Sequence, residues 1–227
     1  MRVVGGAWRG RPLQAPPGRG TRPTSDKVRE AVFDVLAALP EARRESTGRG
    51  PLAGHVALDV FAGSGALGIE ALSRGADSCA FVESAPPALR ALRGNLTRLG
   101  VPVLRPARAA AAPSGDADDA PVAAAEPHAV VLGGDVRRVL AADARSGARY
   151  TLVFADPPYD LYEQVRPALA RLLARVLVPG AVLVVESAAG TAAGLPWTVV
   201  REKRYGDTRV TFLVTEAAPP AEGVPEV

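Results

Sequence analysis

Between His55 and Glu186 the apolar positions of the chain fall into short continuous runs, separated by longer stretches in which they recur every three or four residues. The runs His55 to Phe61, Ser78 to Glu83, Val101 to Leu104, Ala129 to Leu132, Tyr150 to Ala155 and Ala181 to Glu186 predict buried strands. The periodic stretches predict helices at Ala66 to Arg74, at Ala88 to Leu99 with Leu89, Leu92, Leu96 and Leu99 on one face, from Val136 onward, and near Tyr162 to Val176. Strands alternating with helices imply an α/β fold, a doubly wound and mostly parallel sheet covered on both faces. Two last runs, Thr198 to Lys203 and Arg209 to Thr215, flank Gly206-Asp207 and predict a C-terminal antiparallel hairpin.

Upstream of the alternation, Val28, Ala31, Val32, Val35, Leu36 and Leu39 have helical spacing, with Thr24, Ser25 and Asp26 as caps and Pro40 as a stop. One amphipathic helix over roughly 26 to 39 follows. Before it, Gly5, Gly6, Gly10, Pro12, Pro16 and Pro17 punctuate a segment from Arg2 to Ala15 that is expected to be a surface hairpin or extended arm. Residues 41 to 54 read as a polar linker, 105 to 129 as an Ala/Pro-rich low-complexity insertion forming a mobile loop, and 216 to 227 as a frayed tail. The expected organisation is therefore a basic arm and helix over 1–50, a main domain over 51–216 carrying the insertion, and a tail over 217–227.

A chain of 227 residues with 48% apolar content can bury one full core, which excludes wholesale disorder. The longest stretch without a charged side chain is the 14 residues from Ser187 to Val200, too short for a membrane span, and no apolar run of signal-peptide length opens the chain. A cytoplasmic protein without membrane contact is expected. One cysteine, Cys79, and two histidines, His55 and His128, are too few for an internal disulfide or an ordinary zinc site, so no metal is expected. Charge changes the picture more. Residues 1 to 30 carry Arg2, Arg9, Arg11, Arg19, Arg22, Lys27 and Arg29 against Asp26 and Glu30, a net +5, whereas the remaining 197 residues sum to −2. A basic arm on a near-neutral body suits a phosphate backbone, although 25 of the 27 basic residues are arginine and a solvated tail would look similar.

The loops after the strands of such a sheet are where a ligand binds. The first, Leu58-Asp59-Val60-Phe61-Ala62-Gly63-Ser64-Gly65-Ala66-Leu67-Gly68, contains G-x-G-x-x-G between a strand and a helix, with Glu83 twenty residues after Gly63. Alone, this fits a dinucleotide as well as any other nucleoside cofactor. Asp59 shifts the balance. A carboxylate there would repel a pyrophosphate at the helix N-terminus and favours a cofactor with a cationic group, such as S-adenosylmethionine; a loop-capping role is the bland alternative. The most specific signal is Asp156-Pro157-Pro158-Tyr159 after the strand Tyr150 to Ala155. An exocyclic base amine is a poor nucleophile because its lone pair is conjugated with the ring, and acceptors on both of its hydrogens make it more tetrahedral. The Asp156 side chain and the Pro157 carbonyl can be those acceptors, the proline pair is stiff enough to hold them, and Tyr159 can stack on the base.

With these motifs in place the chain closely resembles the bacterial methyltransferases that modify the N2 amine of one guanine in 16S ribosomal RNA, the RsmD-like family. The matching stretches are Arg2 to Arg11, Arg22 to Phe33, Leu58 to Ala76, Phe81-Val82-Glu83, Asp156 to Tyr159 and Arg204 to Thr208. The insertion departs from the compact family pattern. The resemblance implies a Rossmann-like class I methyltransferase sheet and S-adenosylmethionine as methyl donor, with S-adenosylhomocysteine as product. It implies that Asp59, Phe61, Ala62, Gly63, Ser64 and Gly65 surround the methionyl part, Glu83 takes the ribose and Asp135 lies beside the adenine amine. Asp156, Pro157, Pro158 and Tyr159 would present the guanine amine, and Arg9, Arg11, Arg22, Thr24 and Arg29 would bind RNA. The implied partner is 16S ribosomal RNA, free or in the assembling small subunit, and the expected protein is a monomer.

Three other functions account for parts of the same pattern. A DNA amino-methyltransferase acting on adenine N6 or cytosine N4 would also use D-P-P-Y, but a target-recognition domain is not recognisable. A dinucleotide oxidoreductase would use the glycine loop and leave D-P-P-Y and Asp59 idle. A non-catalytic RNA-binding module would explain only the arm. His55, His128 and Cys79 read as structural residues, Trp8 as an RNA-stacking residue or an anchor for the arm, and Arg204 and Tyr205 as a hairpin corner.

Overall fold

A computed structural model describes residues 1–16, 25–44, 50–105 and 126–216. Among them, eight strands form one sheet: β1 (Val56–Val60), β2 (Ser78–Glu83), β3 (Val103–Leu104), β4 (His128–Gly133), β5 (Tyr150–Ala155), β6 (Leu177–Ala188), β7 (Thr198–Tyr205) and β8 (Thr208–Val214). The order is β3-β4-β2-β1-β5-β6-β8-β7. Every pairing from β3 to β6 is parallel, and β8 runs antiparallel to both β6 and β7. The expected α/β sheet with its C-terminal hairpin is the fold observed.

Among the described residues, five α-helices cover the sheet: α1 (Asp26–Ala38), α2 (Ala66–Ser73), α3 (Pro86–Leu99), α4 (Val136–Ser146) and α5 (Tyr159–Leu173). Strand parity sorts the core into two layers. Ala57, Cys79, Phe81 and Phe154 pack with Val32 and Leu36 of α1, Ile69 of α2 and Leu92 and Leu96 of α3. Their neighbours Leu58, Val60, Ala80, Val82 and Val153 pack on the other face with Leu140 of α4 and Tyr162 and Leu169 of α5. The helices stop where local chemistry dictates. The Ser25 hydroxyl accepts the Val28 N–H at the start of α1, and Gly100 closes α3 at φ +73°, a conformation that other residues resist.

Several expectations need correction. The arm is not a surface element: Val3 and Leu13 are buried in the same layer as α1 and the sheet, and Trp8 packs against that layer as an anchor. The linker is partly core, since Ala42 and Leu52 are buried on either side of residues 45–49, which lie outside the described residues. His128 and Ala129, assigned to the insertion, belong to β4; residues 106–125 of that segment and the tail 217–227 lie outside the described residues. The strand expected over Ala181 to Glu186 runs from Leu177 to Ala188, because the chain passes through Pro179-Gly180 at a register irregularity where Tyr150 faces Leu177 but Leu152 faces Val182. The last sheet helix starts at Tyr159, three residues earlier than expected.

Candidate active site

The order of strands reverses between β1 and β5. The chain winds outward from β1 through β2 and β4, then crosses back so that β5 lies on the free side of β1. Val60 pairs with Val82 on one side and Ala155 on the other, and Glu83 pairs with Gly133. The loops beginning at Phe61, Ser84, Gly134 and Asp156 therefore emerge together at the carboxyl edge of the sheet, where doubly wound folds bind ligands.

The glycine loop is tightly stitched. Ala62 N–H donates to the Val82 carbonyl at 2.9 Å, and Gly65 N–H to the Ala62 carbonyl at 2.7 Å. Phe61 adopts a positive φ of +66°, the only non-glycine residue to do so among those described. Such strain concentrates at ligand sites because the surroundings must enforce it. The three fingerprint glycines serve different ends. A Cβ on Gly65 would lie 2.4 Å from Leu92 Cδ1, and one on Gly68 2.4 Å from Phe81 Cε1, so both permit close packing of α2. A Cβ on Gly63 meets nothing within 4 Å. Gly63 thus faces open space at φ +56°, which leaves its backbone accessible to a ligand.

Glu83 closes this loop from the side. Its Oε2 accepts the Gly63 N–H at 2.8 Å, while Oε1 accepts the N–H groups of Ser84 and Ala85, each at 2.7 Å. A carboxylate offers about four acceptor sites, so these three bonds orient it and leave capacity for a hydroxyl. Asp135 caps α4 through the N–H groups of Arg137 and Arg138 and pairs with the Arg137 guanidinium at 3.0 Å, which holds its carboxyl below the usual range. It also lines an open depression with Arg137, Arg138 and Ala141.

Asp59 lies buried beneath α2 and is not open at the surface of the glycine loop. It is 1% exposed, and its Oδ2 accepts the Gly68 N–H of α2 at 2.9 Å. Parity explains this: Asp59 shares the face of Ala57, beneath α2. Burial pushes its pKa up to about 7; the Gly68 hydrogen bond opposes that rise and the Glu83 charge adds to it. Burial likewise pushes the neighbouring Cys79 thiol well up, as does the Asp59 charge.

On the β5 side, Asp156 is half-buried, Pro157 is buried, and Pro158 and Tyr159 are exposed. Pro158 ends the turn in an extended conformation, φ −52° and ψ 132°, and its carbonyl accepts the N–H groups of Leu161 and Tyr162 at 2.9 and 3.2 Å. The turn is therefore rigid on both counts, ring and hydrogen bonds. Tyr159 leaves 44% of its surface exposed, with its hydroxyl 2.9 Å from Thr208 Oγ1. That contact ties D-P-P-Y to the stretch Arg204 to Thr208, which carries part of the family resemblance and in which Arg204 and Tyr205 read as a hairpin corner. The corner is fastened to the end of β6, since Ala189 N–H donates to the Asp207 carbonyl and the Arg209 guanidinium to the Ala189 carbonyl, both at 2.8 Å.

Of the basic residues assigned to RNA, Arg9 and Arg11 are exposed on the arm; Arg22 and Thr24 lie outside the described residues. Arg29 is a correction. It is 0% exposed, bonded to Asp26 Oδ1 at 2.7 Å and to the Arg2 carbonyl, and 3.8 Å from the buried Glu70 carboxylate. A guanidinium so enclosed holds the arm against α1 and α2. Glu70 in turn accepts the Val4 N–H at 2.8 Å and the Arg74 guanidinium at 2.8 Å, and Ser73 Oγ joins the arm at Gly5 and Trp8. A lone acid in the apolar stretch Leu67 to Leu72 was the available sign of this clamp.

Comparison with known proteins bears on this geometry. The family model described as "Conserved hypothetical protein 95" matches residues 1–214. A Bacillus subtilis protein named "Putative rRNA methyltransferase YlbH" is 36% identical over 173 residues, 76% of this chain and 73% of that protein. "Ribosomal RNA small subunit methyltransferase D" of Escherichia coli is 41% identical over 99 residues, 44% of each chain. The solved structure described as "Putative methyltransferase yhhF from Escherichia coli" superimposes with a TM-score of 0.67 at 30% identity, covering 96% of this chain and 99% of that one.

Proposed function

We propose that this chain, which belongs to the RsmD-like family described as conserved hypothetical protein 95, transfers a methyl group from S-adenosylmethionine to the N2 amine of a guanine in 16S ribosomal RNA. The observation that carries this reading is the meeting of two loops at one strand pair. The glycine loop follows Val60 of β1 and D-P-P-Y follows Ala155 of β5, and those two residues are register partners. The names borne by the relatives above point the same way. The Bacillus subtilis protein is named for ribosomal RNA and the Escherichia coli protein for its small subunit.

The residues fit the cofactor. Gly63 offers open backbone beside the strained Phe61, and Glu83 is oriented by three N–H groups with acceptor capacity for a ribose hydroxyl. Asp135 stands after β4, where an adenine amine would complete the nucleoside, and Ala62, Ser64 and Gly65 complete the loop around the methionyl part. Asp59 acts from beneath, fixing α2 and the loop through Gly68. Bound S-adenosylmethionine supplies an electrophilic methyl on a sulfonium. Everything else falls to the chain.

Asp156 accepts one hydrogen of the guanine amine and Pro157, through its carbonyl, the other; the Pro158 carbonyl is consumed by α5. Tyr159 covers the base, steadied by Thr208. The Asp156 charge also attracts the positive charge that develops on nitrogen, so this interaction is stronger in the transition state than in the ground state. Arg9 and Arg11, with Arg22 and Thr24, supply contacts to RNA, and residues 1–50 serve as an RNA-binding extension of the catalytic body.

The test is transfer of labelled methyl from S-adenosylmethionine to small-subunit RNA from cells without this activity, followed by nucleoside analysis. N2-methylguanosine is the expected product. Label in adenine or cytosine amines of DNA would move the enzyme to the DNA class, and absence of transfer to any nucleic acid would end the reading.

A further inference from the structure

Asn95 on α3 is the one polar side chain on that helix's buried face among Ala88, Ala91, Leu92, Leu96 and Leu99, and it is 1% exposed. Its amide touches two elements that the chain separates widely. Nδ2 donates to the Ser64 carbonyl of the glycine loop and to the Gln14 carbonyl of the arm, each at 3.0 Å. Oδ1 accepts the Gln14 N–H at 2.8 Å. Both amide hydrogens are thus committed, one to the cofactor loop and one to the arm.

The arm's open end lies at the same point. Leu13 N–H donates to the Met1 carbonyl at 3.0 Å, and the Ser64 hydroxyl approaches the Met1 sulfur at 3.7 Å. The arm's tip is fixed elsewhere, at Ser73 of α2. A shift of the Ser64 carbonyl therefore forces Asn95 either to follow, pulling Gln14, or to leave a buried N–H unpaired.

We propose that Asn95 is a positioning residue that couples the occupancy of the cofactor loop to the seating of the N-terminal arm. Resting on the cofactor reading above, the inference makes binding on the two sides reciprocal. A cofactor that fixes Ser64 tightens the arm, and a ligand that fixes the arm tightens the cofactor by the same factor.

The test is amide hydrogen exchange of the full chain with and without saturating S-adenosylhomocysteine. In the wild type, ligand should slow exchange at Phe61–Gly65 and also at Val3, Val4 and Leu13 by about fivefold or more, the lower range of allosteric coupling. In Asn95→Ala the loop should still respond while the arm does not. Gln14→Pro removes the N–H that Asn95 Oδ1 accepts, keeps the carbonyl at that position and leaves α3 untouched, so it should weaken the arm's response without abolishing it, which guards against a folding defect in Asn95→Ala. An arm that stays unchanged in the wild type while the loop is protected, or that responds equally in either variant, overturns the coupling. Absence of protection even at Phe61–Gly65 overturns the cofactor reading and the inference with it.

Discussion

Replacing Asp59 by asparagine should change the pH dependence of stability in one direction only. The carboxyl is buried beneath α2 and titrates at about 7 instead of 3.8. Below about pH 4 both folded and unfolded chains hold the proton, and nothing is lost. As pH rises the unfolded chain releases it first, so stability falls until the folded state also ionises near 7, and is level beyond. At about 1.4 kcal/mol per tenfold, the rise from 3.8 to about 7 corresponds to about 4 kcal/mol, an upper bound because the buried site can relax. Asparagine keeps an acceptor for the Gly68 N–H and cannot ionise. Its extra donor adds an offset that does not vary with pH, so the slope is the quantity to compare. Urea unfolding of both proteins between about pH 4.5 and 8 should show the variant gaining on the wild type up to about pH 7 and holding level above it, and other carboxylates cancel in the difference. Parallel curves would refute the buried, proton-retaining Asp59.

Glu70→Ala removes the buried partner of Arg29 and Arg74 and the acceptor of Val4 N–H; denaturant unfolding should show a loss of about 3–5 kcal/mol, and a loss under about 1 kcal/mol would deny the clamp. Arg9→Ala with Arg11→Ala should weaken RNA binding and flatten its log–log salt slope by about 0.7–0.9 per phosphate contact removed, with cofactor affinity near normal; an unchanged slope would take the arm off the RNA. Glu83→Ala should raise the calorimetric Kd for S-adenosylmethionine by about tenfold or more, and wild-type affinity in the variant would remove Glu83 from the nucleoside site.

The architecture was legible because strand parity and helix period are local signals. Ser78–Glu83 and Tyr150–Ala155 have the same bounds in sequence and structure. Leu177–Ala188 extends beyond its apolar run because Pro179-Gly180 resembles a turn in sequence, and only pairing with β5 keeps that stretch in the sheet. Arg29 shows a subtler limit. It occupies the buried face with Val32, Phe33 and Leu36, at the spacing of a helical stripe. Its charge nevertheless suggested solvent and RNA, because the compensating Glu70 lies 41 positions away. The same holds for Asn95, whose partners Gln14 and Ser64 meet only in three dimensions. Motifs of contiguous residues, the glycine loop and D-P-P-Y, announced the site; the long-range polar joints that position it did not.

Single-turnover methylation of small-subunit ribosomal RNA at saturating S-adenosylmethionine, by wild type, Asp156→Ala and Asp156→Asn, tests the catalytic account most directly. Removing an acceptor that acts on developing charge should slow transfer by about 10²-fold or more in the alanine variant, with cofactor affinity little changed. The asparagine variant, which keeps a hydrogen-bond acceptor without the charge, should retain partial activity. Transfer by Asp156→Ala at the wild-type rate would reduce D-P-P-Y to a rigid turn and contradict the account.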